Sequence, residues 1–298
     1  MASPANGLSR RLLALGAGIA LVVAAACSDI PSDPKVPFAI EFNRAPSPSV
    51  VLGDTMFDSL GFTAPLKARV FNSKGDEIVG AGVTYHVVAF TNVDPTNPAF
   101  ADSVPLTVDA NTGFVIGKTA PVYAAKTARV YAQAGKLQSQ TITVTATRSA
   151  DLLVAGGATS DSLMLSFLNT DSLLLSSAFS VRLRHTSGAP VTPADSAVPA
   201  YLVRFAIVKP AVASTDTSYV MLTNGDRKRS ELDTTDAGGV ASRQIRIRRV
   251  NFPFTKPAGS DALVRDTIIV RASAYGAGHT LVPGSGVEFS FVIKANKQ

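Results

Sequence analysis

The residues best suited to chemistry in this sequence are one cysteine and three histidines. Cys27 is the only cysteine among 298 residues, so it cannot form an internal disulfide. His86, His185 and His279 stand far apart, and none lies two or four positions from another histidine or from the cysteine. Zinc sites need such short spacings between their ligands. We therefore predict structural or solvated histidines and no metal site.

The familiar catalytic motifs are missing from the sequence as well. Gly284-Ser285-Gly286 lacks the spacing and the strand-to-helix setting of a hydrolase nucleophile elbow. The aspartates form no Asp-x-Asp-x-Asp run, so we expect them to cap turns rather than to bind calcium. Those spread through predicted turns are Asp54, Asp58, Asp76, Asp94, Asp102 and Asp109. The sequence thus predicts no catalytic residue, no cofactor and no enzyme activity.

The most charged segment is basic and runs from Arg243 to Arg249. With the two-residue period of a strand, its isoleucines face one side while Arg246 and Arg248 face the other. One interpretation is a strand with a solvated basic face, which also discourages pairing at a sheet edge. The other is a patch for an anionic glycan, lipopolysaccharide or a membrane surface. That patch would comprise Arg227, Lys228, Arg229, Arg246 and Arg248.

The amino-terminal segment has the layout of an export signal. Arg10 and Arg11 precede an apolar run from Leu12 to Ala26, which is shorter than the roughly 20 residues that a membrane-spanning helix needs. Its end, Ala24-Ala25-Ala26-Cys27, resembles the lipobox of bacterial lipoproteins, although Ala24 replaces the usual leucine. The resemblance implies cleavage after Ala26 and lipidation of Cys27 by a diacylglyceryl thioether, with an acylated amino terminus. A plain secreted protein cleaved after Ala26 is the alternative.

Residues 27–37 follow the predicted cleavage point and contain three prolines and three charged residues. Such a segment cannot bury much apolar surface, so we expect a flexible tether. Ser28 stands where an aspartate would retain a lipoprotein in the inner membrane, and by this resemblance it favours the outer membrane. Whether the protein faces the periplasm or the cell surface stays open.

The composition of the remaining chain indicates an all-β protein. Charged residues make up only 17% of the sequence, and 22 glycines and 18 prolines recur at short intervals among β-branched residues. This pattern is typical of short strands separated by turns. The full chain carries a formal charge of +6, and its first 26 residues hold two of the arginines. Such a mild excess of positive charge on an exported protein argues against a nucleic-acid partner.

Landmarks recur twice along the chain in the same order. A strand enters a glycine turn at Gly75 and again at Gly188, and an alternating strand follows each. An acidic turn comes next, Asp109–Val115 in the first copy and Thr235–Val240 in the second. Each copy closes with two alternating strands; they lie at 130–135 and 141–145, then at 270–276 and 287–293. The separation between the corresponding glycines, Gly75 and Gly188, is close to the size of one sandwich domain.

These landmarks resemble bacterial immunoglobulin-like domains of adhesins and envelope proteins. Tyr85 takes the core position usually held by tryptophan, and Thr235-Asp236-Ala237-Gly238-Gly239-Val240-Ala241 resembles the invasin/intimin type. The resemblance implies two tandem immunoglobulin-like β-sandwich domains, at 38–148 and 149–298. The second copy is longer, with candidate insertions at 190–199, 209–229 and 251–260.

The functional expectation is a non-enzymatic, lipid-anchored envelope protein that acts as a structural, scaffolding or adhesive module. An alternative is a glycan- or protein-binding surface lipoprotein that uses the insertions and the basic strand of the second domain. Turn and core motifs support a fold far better than a function, so these alternatives stay open.

Overall fold

The computed structural model describes residues 33–88, 104–119, 126–166, 173–186, 197–209, 220–248 and 264–296. The predicted signal segment, the predicted cleavage after Ala26 and the predicted lipidation of Cys27 fall outside these residues, as does most of the three candidate insertions. Within the described ranges, no helix has the length and hydropathy needed to cross a membrane. The described chain is built from strands, with one short 3-10 turn at Ala277–His279.

The strands divide into two sets, and the named strands of each set pair only among themselves. The first sandwich comprises β1 (Ala39–Glu41), β2 (Ser49–Val51), β3 (Arg69–Phe71), β4 (Thr84–Val87), β5 (Leu106–Val108), β6 (Val115–Gly117), β7 (Lys126–Ala134), β8 (Leu137–Gln138) and β9 (Ile142–Thr147).

The second sandwich comprises β10 (Leu152–Ala155), β11 (Ser160–Ser166), β12 (Leu173–Leu175), β13 (Phe179–Arg184), β14 (Leu202–Lys209), β15 (Val220–Thr223), β16 (Leu232–Thr234), β17 (Val240–Arg248), β18 (Val264–Ser273), β19 (Tyr275–Gly276), β20 (Thr280–Leu281) and β21 (Val287–Asn296).

The strand order of the second sandwich is immunoglobulin-like. One sheet runs β10-β13-β17, with β15 on the far side of β17, and the other runs β11-β21-β18-β14-β16. This partition is the two-sheet arrangement of an immunoglobulin domain, in which the first, second, fifth and fourth strands face the third, sixth and seventh. Strand β11 joins the second sheet by pairing parallel to the last strand, β21.

The first sandwich repeats this order with shorter strands. β1 pairs with β3 as β10 pairs with β13, and β5 pairs with β6 as β15 pairs with β17. The other sheet runs β2-β9-β7-β4, and β2 is parallel to the last strand, β9. The prediction of an all-β chain with two copies of one sandwich is confirmed.

One turn recurs in both copies with nearly the same geometry. Gly113 and Gly239 have φ of 73° and 72°, and their carbonyl oxygens accept the amides of Leu66 and Leu183 at 2.9 and 2.8 Å. A Cβ added at either glycine would lie within 2.8 or 2.6 Å of the oxygen of that same leucine. Glycine is therefore required both by the left-handed backbone and by the close approach of two strands.

Each sandwich encloses an apolar core without any disulfide. The second core centres on Phe179, which packs against Phe205, Phe289 and Phe291 with ring centroids 4.8–5.8 Å apart. In the first core Tyr85 is only 7% exposed, as predicted for the position usually held by tryptophan. Burial of such side chains stabilises a fold by about 1.5–3 kcal/mol each.

Candidate functional site

Two of the three histidines have structural surroundings. In β4, His86 Nε2 lies 2.9 Å from Thr84 Oγ1, and the imidazole stacks on Tyr131 with centroids 5.2 Å apart. His185 follows β13 and contacts the segment between the sandwiches. Within the described residues, no group of three or more potential ligands could hold a metal ion.

Ser149, His185 and Asp151 form a cluster whose residue types match a nucleophilic triad. A triad needs the two imidazole nitrogens to serve different partners, the hydroxyl at one and the carboxylate at the other. Here Nδ1 of His185 faces all three oxygens: Ser149 O at 2.9 Å, Ser149 Oγ at 3.5 Å and Asp151 Oδ2 at 3.8 Å. This geometry cannot activate the serine.

The same cluster instead fastens the segment between the sandwiches to the second one. The carboxylate of Asp151 accepts the backbone N–H of Thr186 at 2.7 Å and its hydroxyl at 3.0 Å. Because these bonds join residues 35 positions apart, they fix where the second sandwich begins. The cluster therefore holds the chain at the start of β10 against the residues that follow β13.

Asp58 and Asp109 cap their turns, as predicted, whereas in the turn of Asp76 the cap is Asn72 Oδ1. Asp58 Oδ1 accepts the N–H groups of Leu60 and Phe62 at 2.8 and 3.1 Å. Asp109 Oδ1 accepts those of Asn111 and Thr112, and these hydrogen bonds, with Thr112 first, lower the pKa of Asp109. Asp94 and Asp102 lie outside the described residues.

The two sandwiches are joined by a packed contact between their described residues. Val51 and Phe57 belong to the first sandwich by sequence, yet their side chains pack in the core of the second and are only 7% and 8% exposed. Phe57 meets Tyr201 edge-on, with centroids 5.9 Å apart. A core that receives residues from both sandwiches resists bending between them, because any bend exposes apolar surface.

Tyr201 connects this shared core to the hairpin of β19 and β20. Its hydroxyl donates to the carbonyl oxygen of Tyr275 at 2.9 Å. The residue is 3% exposed, and burial, with a smaller contribution from Asp54, raises the pKa of its phenol well above the usual range. Tyr201 thus stays protonated and remains a hydrogen-bond donor.

His279 closes the junction from outside. Its imidazole lies between two rings, Phe62 at 4.6 Å and Tyr275 at 5.0 Å, with interplanar angles of 10° and 16°. Its Nδ1 donates to Leu60 O at 2.6 Å, and its backbone N–H donates to Gly61 O at 3.0 Å. The third histidine therefore binds the loop of the first sandwich to the second.

Gly61 lets the two backbones approach this closely. It has a φ of 82°, and a Cβ added there would overlap the carbonyl oxygen of Gly276 and lie 2.9 Å from Cα of His279. We call residues 54–62 the junction loop. Sequence reasoning missed it, because its contacts with the second sandwich join positions far apart in the chain and follow no periodicity. His279 Nδ1 and Leu60 O, for example, are 219 positions apart.

The side chains of the basic strand alternate as predicted, but the strand lies inside its sheet and not at the edge. In β17 the isoleucines are buried, Arg246 is half-buried and Arg248 is exposed. Arg246 pairs with Leu175 of β12 on one side and with Met221 of β15 on the other. β17 is an inner strand, so the expectation that its arginines protect a sheet edge is wrong.

The other residues of the predicted patch lie on the turn after β15. Arg227 and Lys228 are exposed at its tip, and Arg229 forms an ion pair with Glu231 at 3.8 Å. Strand β15 leads to this turn from its pairing with β17, in which Thr223 lies beside Gln244. The turn with Arg227, Lys228 and Arg229 therefore continues from the end of β15 that lies beside Gln244. Arg248 lies at the opposite end of the β15–β17 pairing, so the residues of the predicted patch stand at two ends of it.

A further arginine of this strand points inward. Arg243 is 5% exposed and forms an ion pair with Asp233 at 2.9 Å, while its Nε donates to Ser230 O at 3.1 Å. The guanidinium also lies over the ring of Phe205 at 5.9 Å. Arg243 serves the interior of the sandwich and offers nothing to a ligand.

No protein-family model matches this sequence, and no curated protein matches it. Among solved structures it is similar to human protocadherin-24 EC1-2, with 15% identity over 88% of this chain and 100% of the other and a TM-score of 0.25. It is similar to domains 5-6 of the S-layer protein SbsC, with 12% identity over 89% and 100% of the chains and a TM-score of 0.26.

A third similar structure is the Yersinia pseudotuberculosis adhesin InvE, with 13% identity over 82% of this chain and 56% of the other and a TM-score of 0.29. These TM-scores are too low to identify a family. The fold assignment rests on the strand pairing. The chain is an all-β protein of two immunoglobulin-like sandwiches.

Proposed function

We propose that this chain is a non-enzymatic, lipid-anchored protein of the bacterial cell envelope whose two sandwiches form one stiff structural or adhesive module. The observation that carries the proposal is the shared core at the junction, where Phe57 packs against Tyr201. A protein that holds a partner at a fixed distance gains from such packing, since a flexible joint lets its far end wander.

The anchor in this proposal is Cys27, and the membrane is the outer one by virtue of Ser28. About three acyl chains, at roughly 0.8 kcal/mol per buried CH2, hold a protein firmly where a single chain would not. The described part of the residues after Cys27 already contacts the first sandwich, because the side chain of Asn72 donates to Pro34 O at 3.4 Å. In this proposal, only the few residues between Cys27 and Pro34 separate the lipid from the first sandwich.

Membrane fractionation of the full-length protein and two variants tests this proposal. We expect wild-type protein and Ser28→Ala in the membrane fraction, and Cys27→Ser in the soluble fraction with its fold intact by circular dichroism. Wild-type protein in the soluble fraction would support the plain secreted alternative. Retention of Cys27→Ser in the membrane would contradict lipidation at this residue.

One observation favours a second role at the basic strand. The Nε of Arg246 is buried and has no hydrogen-bond partner in the described structure, so an incoming anion would satisfy it. We propose weak binding of a sulfated or phosphorylated glycan at Arg246 and Arg248. Chromatography of the mature chain on heparin tests it: Arg246→Gln with Arg248→Gln should elute at clearly lower salt than Lys74→Gln with Lys136→Gln. Equal elution would contradict the patch.

A further inference from the structure

A groove of about 510 Å³ lies on the outer face of the larger sheet of the second sandwich. Its floor is made by β14, β18 and the start of β21, where Ala206, Ser273 and Gly286, the residue before β21, present little or no side chain. A Cβ added at Gly286 would meet nothing within 4 Å, which shows that the space above the floor is open. Grooves of this size accommodate small ligands or a few sugar units.

Three charged side chains border this groove, Arg204, Arg271 and Glu288. Arg271 donates to Oε1 of Glu288 through Nε at 3.2 Å and through Nη2 at 2.7 Å. Arg204 donates to Oε2 of Glu231 at 3.4 Å. Glu231 lies outside the lining of the groove and also forms an ion pair with Arg229. Both lining arginines are therefore already paired with a glutamate, and the border offers hydrogen-bond donors as well as acceptors. About half of the Arg271 and Glu288 side chains remains accessible to solvent.

The wall of the groove next to the junction is apolar and aromatic. Tyr275 and Leu281 come from β19 and β20, and Leu281 is 51% exposed. The ring of Tyr275 is held by its stack on His279, and its backbone is held by the hydroxyl of Tyr201. A platform fixed before binding loses little conformational entropy when a ligand arrives.

We propose that this groove binds a neutral oligosaccharide. A pyranose ring offers an apolar C–H face, which suits Tyr275 and Leu281, and hydroxyl groups that both donate and accept, which suit paired arginines and glutamates. An anionic ligand would have to displace Glu288 from Arg271 or Glu231 from Arg204. An extended peptide cannot add to this sheet at the groove, because β18 already pairs with β14 on one side and β21 on the other.

The proposed site is independent of the stiff-module function. A spacer needs no ligand, and the groove does not include Cys27 or the basic strand. Loss of the anchor in the fractionation experiment would therefore leave this inference untouched, and failure of glycan binding would leave the anchor untouched.

Isothermal titration of the mature chain carrying Cys27→Ser, with a panel of neutral hexasaccharides, tests the proposal. The panel comprises cellohexaose, maltohexaose, mannohexaose, xylohexaose and laminarihexaose. We expect at least one to bind with a dissociation constant below about 1 mM. Ala206→Trp places an indole on the groove floor and should weaken that binding at least about tenfold.

Two further variants separate the groove from general effects on the sheet. Ser162→Trp adds the same indole to the same face of the same sheet, on β11 away from the groove, and should leave binding unchanged. The double variant Arg271→Ala with Glu288→Ala keeps the charge balance and should also weaken binding about tenfold or more. The proposal is overturned if no hexasaccharide binds at 5 mM, about five times the expected limit, or if Ala206→Trp binds as wild type does.

Discussion

Two glycine turns of the first sandwich have nearly the same backbone and opposite surroundings. Gly61 in the junction loop and Gly75 in the turn of residues 72–80 have φ of 82° and 88°. The space beside Gly75 is open, and neighbouring Val79 is 92% exposed. Beside Gly61 lies the second sandwich. A turn glycine can therefore be recognised from the sequence, but what packs against it cannot.

The largest expected difference between these two regions comes from their apolar side chains. Phe57→Ala removes a ring from the shared core and should lower the free energy of unfolding by about 3–5 kcal/mol. Val79→Ala should change it by less than about 0.5 kcal/mol, since the side chain is almost fully exposed. Urea denaturation of both variants measures this. Similar values for the two would show that the junction loop is no better packed than an open turn.

Substitution of the glycines themselves sharpens the comparison. Gly75→Ala meets only the strain of a left-handed backbone, about 1–2 kcal/mol. Gly61→Ala meets that strain and an overlap with Gly276, so it should cost about 2–4 kcal/mol and separate the sandwiches. Calorimetry should show one transition for Gly75→Ala and two for Gly61→Ala. A single transition of equal midpoint in both would contradict the close approach.

Tyr201→Phe tests the hydrogen bond across the junction and its pH dependence. Loss of the bond to Tyr275 O should cost about 1 kcal/mol at pH 8. In the unfolded chain a tyrosine loses its proton above about pH 10, whereas burial and Asp54 keep Tyr201 protonated in the fold by raising its pKa. The contribution of the Tyr201 hydroxyl to the free energy of unfolding is therefore complete below pH 10 and declines above it.

The stability gap between wild type and Tyr201→Phe should thus narrow between pH 8 and pH 11, about one unit above the usual pKa of tyrosine. Urea denaturation at several pH values follows the gap directly. A gap that stays constant over this range would mean that Tyr201 ionises in the fold as readily as in the unfolded chain.

The smallest expected effect is that of the histidines. His279→Ala keeps a non-glycine residue at a φ of 61°, so it removes only the two ring stacks and the bond to Leu60 O. We expect a loss of about 1 kcal/mol. His86→Ala removes one ring stack, on Tyr131, and the contact with Thr84 Oγ1, and should lose about half as much. Thermal denaturation compares the stability that the two variants lose. A larger loss for His86→Ala than for His279→Ala would mean that the junction contact contributes less than the contact in β4.

The fold was accessible to sequence reasoning because its signals are local. Alternation predicted β17 and the orientation of its arginines, and the acidic glycine turns predicted the two positions that became Gly113 and Gly239. The position of β17 inside its sheet was not accessible, because order within a sheet depends on long-range pairing. The groove was hidden for the same reason: its floor joins three strands that only the fold brings together.

The central claim is that the two sandwiches form one stiff body, and the distance between two spin labels tests it most directly. Labels at Lys74→Cys in the first sandwich and Asp226→Cys in the second, in a chain carrying Cys27→Ser, sit on exposed turns away from the junction. The account predicts one narrow distance distribution that broadens when Gly61→Ala is added. A broad distribution in the chain that retains Gly61 would contradict it.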